Sequence, residues 1–178
     1  MKRNQQRRCK RNEVILSIFI SIFLLSSMTL KAQTSTNFSG RWELDQANSD
    51  REKGEPLFDG SIILEIKLTS DTISFNYTYF MTGREGFKMP ADSYLANGNV
   101  TADHSGSDPA KKYVKWSQDK KILTTNYIMT ASIDGVAQDF ITIATYKLSE
   151  DGKTLIIEEL HKSKLNGERT IKKIYRKK

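Results

Sequence analysis

Two histidines, His104 and His161, an adjacent pair of carboxylates, Glu158 and Glu159, and a set of aromatic rings are the residues of this 178-residue chain whose types could do chemistry. Metal ligation or hydrolysis asks for several His, Cys, Asp or Glu at ligand spacing. His104 sits in a polar loop sequence and His161 at a strand end, neither with such partners, so both read as surface residues. Glu158 and Glu159 are neighbours on a strand pattern and point to opposite faces, whereas paired-carboxylate catalysis needs both groups in one cleft. One of the two facing inward is the feature to check. No serine has a nucleophile-elbow context, and no glycine-rich loop leads from a strand into a helix. The residues offer no catalytic group, no metal site and no cofactor site, and enzymatic activity is not expected.

The aromatics are the better lead. Phe75, Tyr77 and Tyr79 share one face of a strand pattern, with Trp116, Tyr127, Phe140, Tyr146 and Tyr175 on other strands. A closed β structure gathers such rings inside, where buried phenols need partners that a ligand or trapped water supplies. The plainer alternative is that they fill a small barrel. Thr124, Asn126, Thr142 and Thr145 make some strand faces more polar than a dry core prefers, which favours a wet cavity.

The elements that must position these groups follow from period-two patterning. In NFSGRWELD, residues 37–45, Phe38, Gly40, Trp42 and Leu44 share a face. GSIILEIKLT and DTISFNYTYF alternate in the same way and are separated only by Thr69, Ser70 and Asp71, a hairpin. Residues 81–110 are richer in Gly, Pro, Asp and Ser, with one weak strand around Ser93–Leu95 and a turn at Asn97-Gly98. KKYVKW then turns at SQDK into KILTTNYIMT, Asp134-Gly135 precedes the strand at Phe140, FITIATYKL turns at residues 149–152 into KTLIIEEL, and Asn166-Gly167 leads into ERTIKKIYR. This gives eight to ten antiparallel strands in sequence order without a helix. A meander of that kind must close or pair its edges, and an up-and-down β-barrel does so most simply.

The ends and the charge bound the class. Six of the first eleven residues are basic, and the apolar run VILSIFISIFLLSSMTL covers residues 14–30. This is an export-type signal segment, residues 1–32, with cleavage before Gln33 or retention as an anchor. The domain is expected at residues 33–178, in the periplasm or outside the cell, with membrane contact only through an uncleaved N-terminal segment. The net charge of +7 does not belong to that domain: seven of the 28 basic and one of the 21 acidic residues precede Gln33, leaving 21 against 20. A nucleic-acid partner is therefore not expected, despite the basic tail Lys172–Lys178. The only cysteine, Cys9, precedes the apolar run, so the domain has no disulfide and must rest on one apolar core.

FSGRWELD at the first strand, the spacing of Trp116 to Leu123 around SQDKK, YKLSEDGKTLIIEE from Tyr146 and the terminal IYRKK resemble exported bacterial lipocalin-like domain proteins of the calycin group. The resemblance covers nearly all of residues 33–178. It implies a barrel whose closed base is plugged by the tryptophan of a Gly-x-Trp signature, here Trp42 with Phe38, beside Gly40, whose lack of a side chain leaves room. Lys173-Ile174-Tyr175 stands where fatty-acid-binding barrels hold a ligand carboxylate with Arg and Tyr, lysine supplying charge without the bidentate fork. Residues 46–59 replace a helical lid with a short flap.

The reading is thus an all-β barrel, a monomer binding a small, mostly apolar or amphipathic molecule. Phe75, Tyr77, Tyr79, Trp116 and Tyr127 line the interior, and Lys173 with Tyr175 is the polar anchor. The rival is a fully packed barrel that works through its outer surface as an envelope interaction module.

Overall fold

The computed structural model describes residues 36–51, 57–104, 106 and 108–178. The expected signal segment lies outside the described residues, as does part of the expected flap, residues 52–56. Every described element is a strand: β1 (Gly40–Leu44), β2 (Gly60–Leu68), β3 (Thr72–Met81), β4 (Phe87–Lys88), β5 (Asp92–Leu95), β6 (Thr101–Asp103), β7 (Ala110–Trp116), β8 (Ile122–Ile133), β9 (Val136–Leu148), β10 (Thr154–Ser163) and β11 (Gly167–Lys177).

All pairings are antiparallel, in the order β4-β3-β2-β1-β11-β10-β9-β8-β7-β6, with β5 also on β3. The alternating β-branched and aromatic residues of the long strands build this meander directly. Eleven strands replace the eight to ten expected, because the polar region 81–110 supplies three short ones. Ser74↔Ser93 and Tyr79↔Phe87 seat β5 and β4 on β3, and Ala102↔Lys111 seats β6 on β7. First and last strands meet: Leu44 pairs with Tyr175 and Trp42 with Lys177.

The expected closure into a barrel differs in one respect. Among the described residues no ladder joins the two ends of the sheet. The sheet is nonetheless curled. Phe75 on β3 stacks on Tyr146 on β9 at 4.9 Å between ring centroids, and Phe38 meets Trp116 at 5.9 Å. Side chains bridge the seam, with Lys112 Nζ of β7 3.0 Å from Asp92 Oδ1 of β5.

The core lies at one end of the curled sheet. Trp42, Phe38, Leu64, Ile73, Leu155 and Tyr175 are each essentially inaccessible, and each such aliphatic or aromatic burial contributes roughly 1.5–3 kcal/mol. Trp42 donates its Nε1–H to Phe38 O at 3.1 Å, so the indole enters the core without an orphaned donor. Gly40 departs from its expected role. A Cβ there would sit 3.5 Å from Trp42 Nε1 and 3.7 Å from Lys177 Cε, which is ordinary contact, but its φ is +150°. The backbone angle, not crowding, calls for glycine.

After β1, Ser49 and Asp50 run back along β11: Ile174 N donates to Ser49 Oγ at 2.9 Å and Lys172 N to Asp50 Oδ2 at 2.8 Å. Gln46 then clamps the start of the next strand, donating to Phe58 O and Gly60 O and accepting from Phe58 N. The described parts of this connection are therefore fixed to strands.

Candidate functional site

Interior side chains change character along the strands. On β10 the inward column reads Leu155, Ile157, Glu159, His161, and the paired column on β9 reads Leu148, Tyr146, Ala144, Thr142. On β8 it reads Leu123, Thr125, Tyr127, and on β7 Trp116, Val114, Lys112. An apolar floor thus gives way to a polar storey within two residues of each strand.

Above that floor lies a cavity of about 460 Å³. Phe75, Tyr77, Tyr94, Tyr127 and Tyr146 supply its rings, Thr125, Thr142 and Ala144 its small walls, and Asp92, Asp103, Lys112 and Glu159 its charges. The rings are organised: Tyr94 packs edge-on to Phe75 at 5.8 Å, and Phe75 lies flat on Tyr146.

Two ionic groups frame the space. Lys112 Nζ donates to Asp92 Oδ1 at 3.0 Å and to Asp103 Oδ2 at 2.9 Å, and Tyr94 Oη donates to Asp92 Oδ2 at 2.7 Å. Burial pulls the Lys112 ammonium down, but hydrogen bonds to Asp103 and Asp92 and their charges outweigh it, leaving its pKa above the ordinary lysine value. Lys173 Nζ holds both oxygens of Glu159 at 3.0 and 2.9 Å, and His161 Nε2 lies 3.4 Å from Glu159 Oε2. His161 Nδ1 is 3.3 Å from Thr142 Oγ1.

The phenols are held neutral. Burial raises Tyr77 well above its usual value, with the neighbouring Tyr146, Tyr175 and Glu159 adding to it. Burial likewise raises Tyr94, where the Asp92 charge adds, and Tyr146, where hydrogen bonding to Thr125 opposes it. Their hydroxyls remain donors at any physiological pH.

Of the residues expected to line the interior, the fold brings Phe75, Tyr77 and Tyr127 together at the cavity. Trp116 is instead part of the floor, against Phe38. Tyr79 meets Phe58 edge-on at 5.9 Å, beside the cavity rather than on its wall. Tyr175 is buried in the core. Lys173 does not line the cavity, because its ammonium is committed to Glu159. Of the two adjacent carboxylates, Glu159 is the inward one, its side chain 13% exposed, while Glu158 is on the outer face near Lys147. His161 is likewise on the inner column and not a free surface residue.

Four groups escaped the sequence reading: Asp92, Asp103, Lys112 and Tyr94. Asp92 and Asp103 lie in the polar region whose strands were faint. Lys112 was legible in AKKYVKW, where it shares a face with Val114 and Trp116. Of the polar strand residues expected to wet the interior, only Thr142 lines the cavity, joined by Thr125; Thr124, Asn126 and Thr145 alternate to the opposite face, where Asn126 is nonetheless buried. Among the described residues no group of three or more His, Cys, Asp or Glu is placed to hold a metal ion.

Comparison with family models and with curated proteins finds no match, so the functional reading rests on the geometry of this cavity.

Proposed function

We propose that residues 33–178 are an exported, lipocalin-like barrel that binds a small molecule with a substantial apolar part in its interior, as a monomer and without turnover. Barrel closure in this reading is completed at the β5–β7 seam by the Lys112–Asp92 bridge instead of a ladder. The observation that carries the reading is the cavity itself, about 460 Å³ above a packed floor and walled by five aromatic rings. Small-molecule sites are concave and about 300–1,000 Å³ in volume, and this cavity has that size, with a lining in which aromatic rings alternate with charged and hydroxyl groups. The pairing of β1 with β11 and the stacking of Phe75 on Tyr146 support the curled architecture that such a site needs. Export and a periplasmic or extracellular location rest on the pattern of residues 1–32.

The test is native mass spectrometry with organic extraction on the protein purified from an exporting host. A reproducible co-purifying small molecule, released by Tyr77→Ala, is the expected result. A bare chain whose melting temperature is unmoved by lipid, pigment and aryl-alkyl panels would overturn the reading.

A further inference from the structure

Resting on the binding reading, we infer that the molecule this cavity selects carries a positively charged amine next to its apolar body. The charged side chains that line the space are three carboxylates, Asp92, Asp103 and Glu159, and one ammonium, Lys112. The second ammonium nearby, Lys173, is outside the lining and spans both oxygens of Glu159. An anionic ligand would meet three carboxylates, and the one ammonium on the wall, Lys112, already has its charge balanced by two of them. A cation meets the opposite situation. Asp92 is 44% exposed, and its two oxygens each receive one donor, Lys112 Nζ and Tyr94 Oη, so each keeps a lone pair for another.

The rings favour the same class. Lys112 Nζ already stands 5.6 Å from the centroid of Tyr94, so the site holds an ammonium against a phenol face. Tyr77 and Tyr127 line the same space and offer further electron-rich faces. An aryl-alkyl amine of about ten heavy atoms would place its ring among Phe75, Tyr77 and Tyr146 and its ammonium between Asp92 and Glu159. The site would therefore read charge at its mouth and apolar shape at its floor.

The experiment uses three matched probes, 3-phenylpropylamine, 3-phenylpropan-1-ol and 3-phenylpropanoate, titrated into the purified protein while the ring resonances of Tyr77 and Tyr127 are followed. The amine is expected to bind about tenfold tighter than the alcohol, with the carboxylate weakest. Asp92→Asn and Glu159→Gln should each shrink the amine's advantage over the alcohol, with circular dichroism certifying that each variant still folds. Equal binding of amine and alcohol, or tighter binding of the carboxylate, overturns the charge inference and leaves the cavity reading standing. If none of the three probes moves the cavity rings at millimolar concentration, the binding reading fails and the inference with it.

Discussion

Phe75 and Tyr146 lie face to face at 4.9 Å although four strands, β2, β1, β11 and β10, separate their own strands in the sheet. A flat sheet would hold strands five places apart more than 20 Å from one another, at about 4.8 Å per step. This contact is therefore the measure of how far the sheet curls, and it lies at the boundary between the apolar floor and the cavity.

Floor and cavity should answer differently to truncation. Trp42→Ala, in the fully buried floor, is expected to cost roughly 3–5 kcal/mol, because it opens a hole among packed neighbours. Tyr77→Ala, beside space that is already open, is expected to cost only about 1 kcal/mol. Urea unfolding of the two variants checks this, and equal losses would mean that the interior is packed throughout.

Two hairpins use one turn with different residues at its strained position. Ser117, Asp119 and Lys121 repeat the hydrogen bonds of Ser149, Asp151 and Lys153: each serine hydroxyl donates to the aspartate at 2.6 Å, and each aspartate accepts from the lysine N–H. The serine hydroxyl partners also pull both aspartate pKa values below the ordinary range. Lys120, with φ +57°, stands where Gly152, with φ +67°, stands in the other turn. A side chain in the left-handed region costs about 1–2 kcal/mol. Lys120→Gly should therefore stabilise the protein by about 1 kcal/mol, and Gly152→Ala should destabilise it by a similar amount although nothing crowds a Cβ there. Thermal unfolding of the pair decides it, with opposite shifts expected.

Burial raises the pKa of Tyr77, Tyr94, Tyr146 and Tyr175 above that of a free phenol. A group whose folded pKa lies above its unfolded value contributes stability that is complete below the unfolded value, near 10 for tyrosine, and is lost as pH rises beyond it. Lys112 acts in the same direction above its ordinary 10.5. Stability should fall steeply above pH 10, and ultraviolet absorbance of phenolate should show Tyr94, Tyr146 and Tyr175, each no more than 5% exposed, ionising only together with unfolding. Smooth titration of these three in the folded state would contradict the buried placement.

The inner and outer ion pairs of β10 should also differ. Glu158 and Lys147 are both more than 40% exposed and 3.5 Å apart, so Lys147→Met should change stability by roughly 0–1 kcal/mol. Lys173→Met leaves the mostly buried Glu159 without its closest cation and should cost roughly 1–3 kcal/mol. A larger loss on the outer face would show that Glu159 is wetter than its surroundings imply.

Much of the scaffold was legible because the long strands carry a period of two: apolar residues recur at every second position of IILEIKL and TISFNYTYF, and TLIIEEL follows a clear turn. The same alternation marks Glu159 and Lys112 as inward once the neighbours Leu155, Ile157, Val114 and Trp116 are taken as core. What could not be read lies in residues 81–110. There β4 and β6 are too short and too polar to show a period and exist because β3 and β7 offer edges to pair with, whereas β5 (Asp92–Leu95) matches the weak strand expected around Ser93–Leu95 and pairs with β3. Asp92 reaches the cavity only through that pairing, so the ionic group at its mouth was invisible from local pattern. Lys173 misled for the opposite reason, since its local pattern was clear but its partner, Glu159, sits on another strand.

The most direct measurement is ligand occupancy by native mass spectrometry, paired with thermal unfolding, for the wild-type protein and Thr142→Phe, which places a ring into the open space. If a small molecule occupies the cavity, Thr142→Phe should keep its melting temperature within a few degrees and lose the bound mass. Retention of the same bound mass by the filled variant, or its collapse as in an overpacked core, would contradict the account.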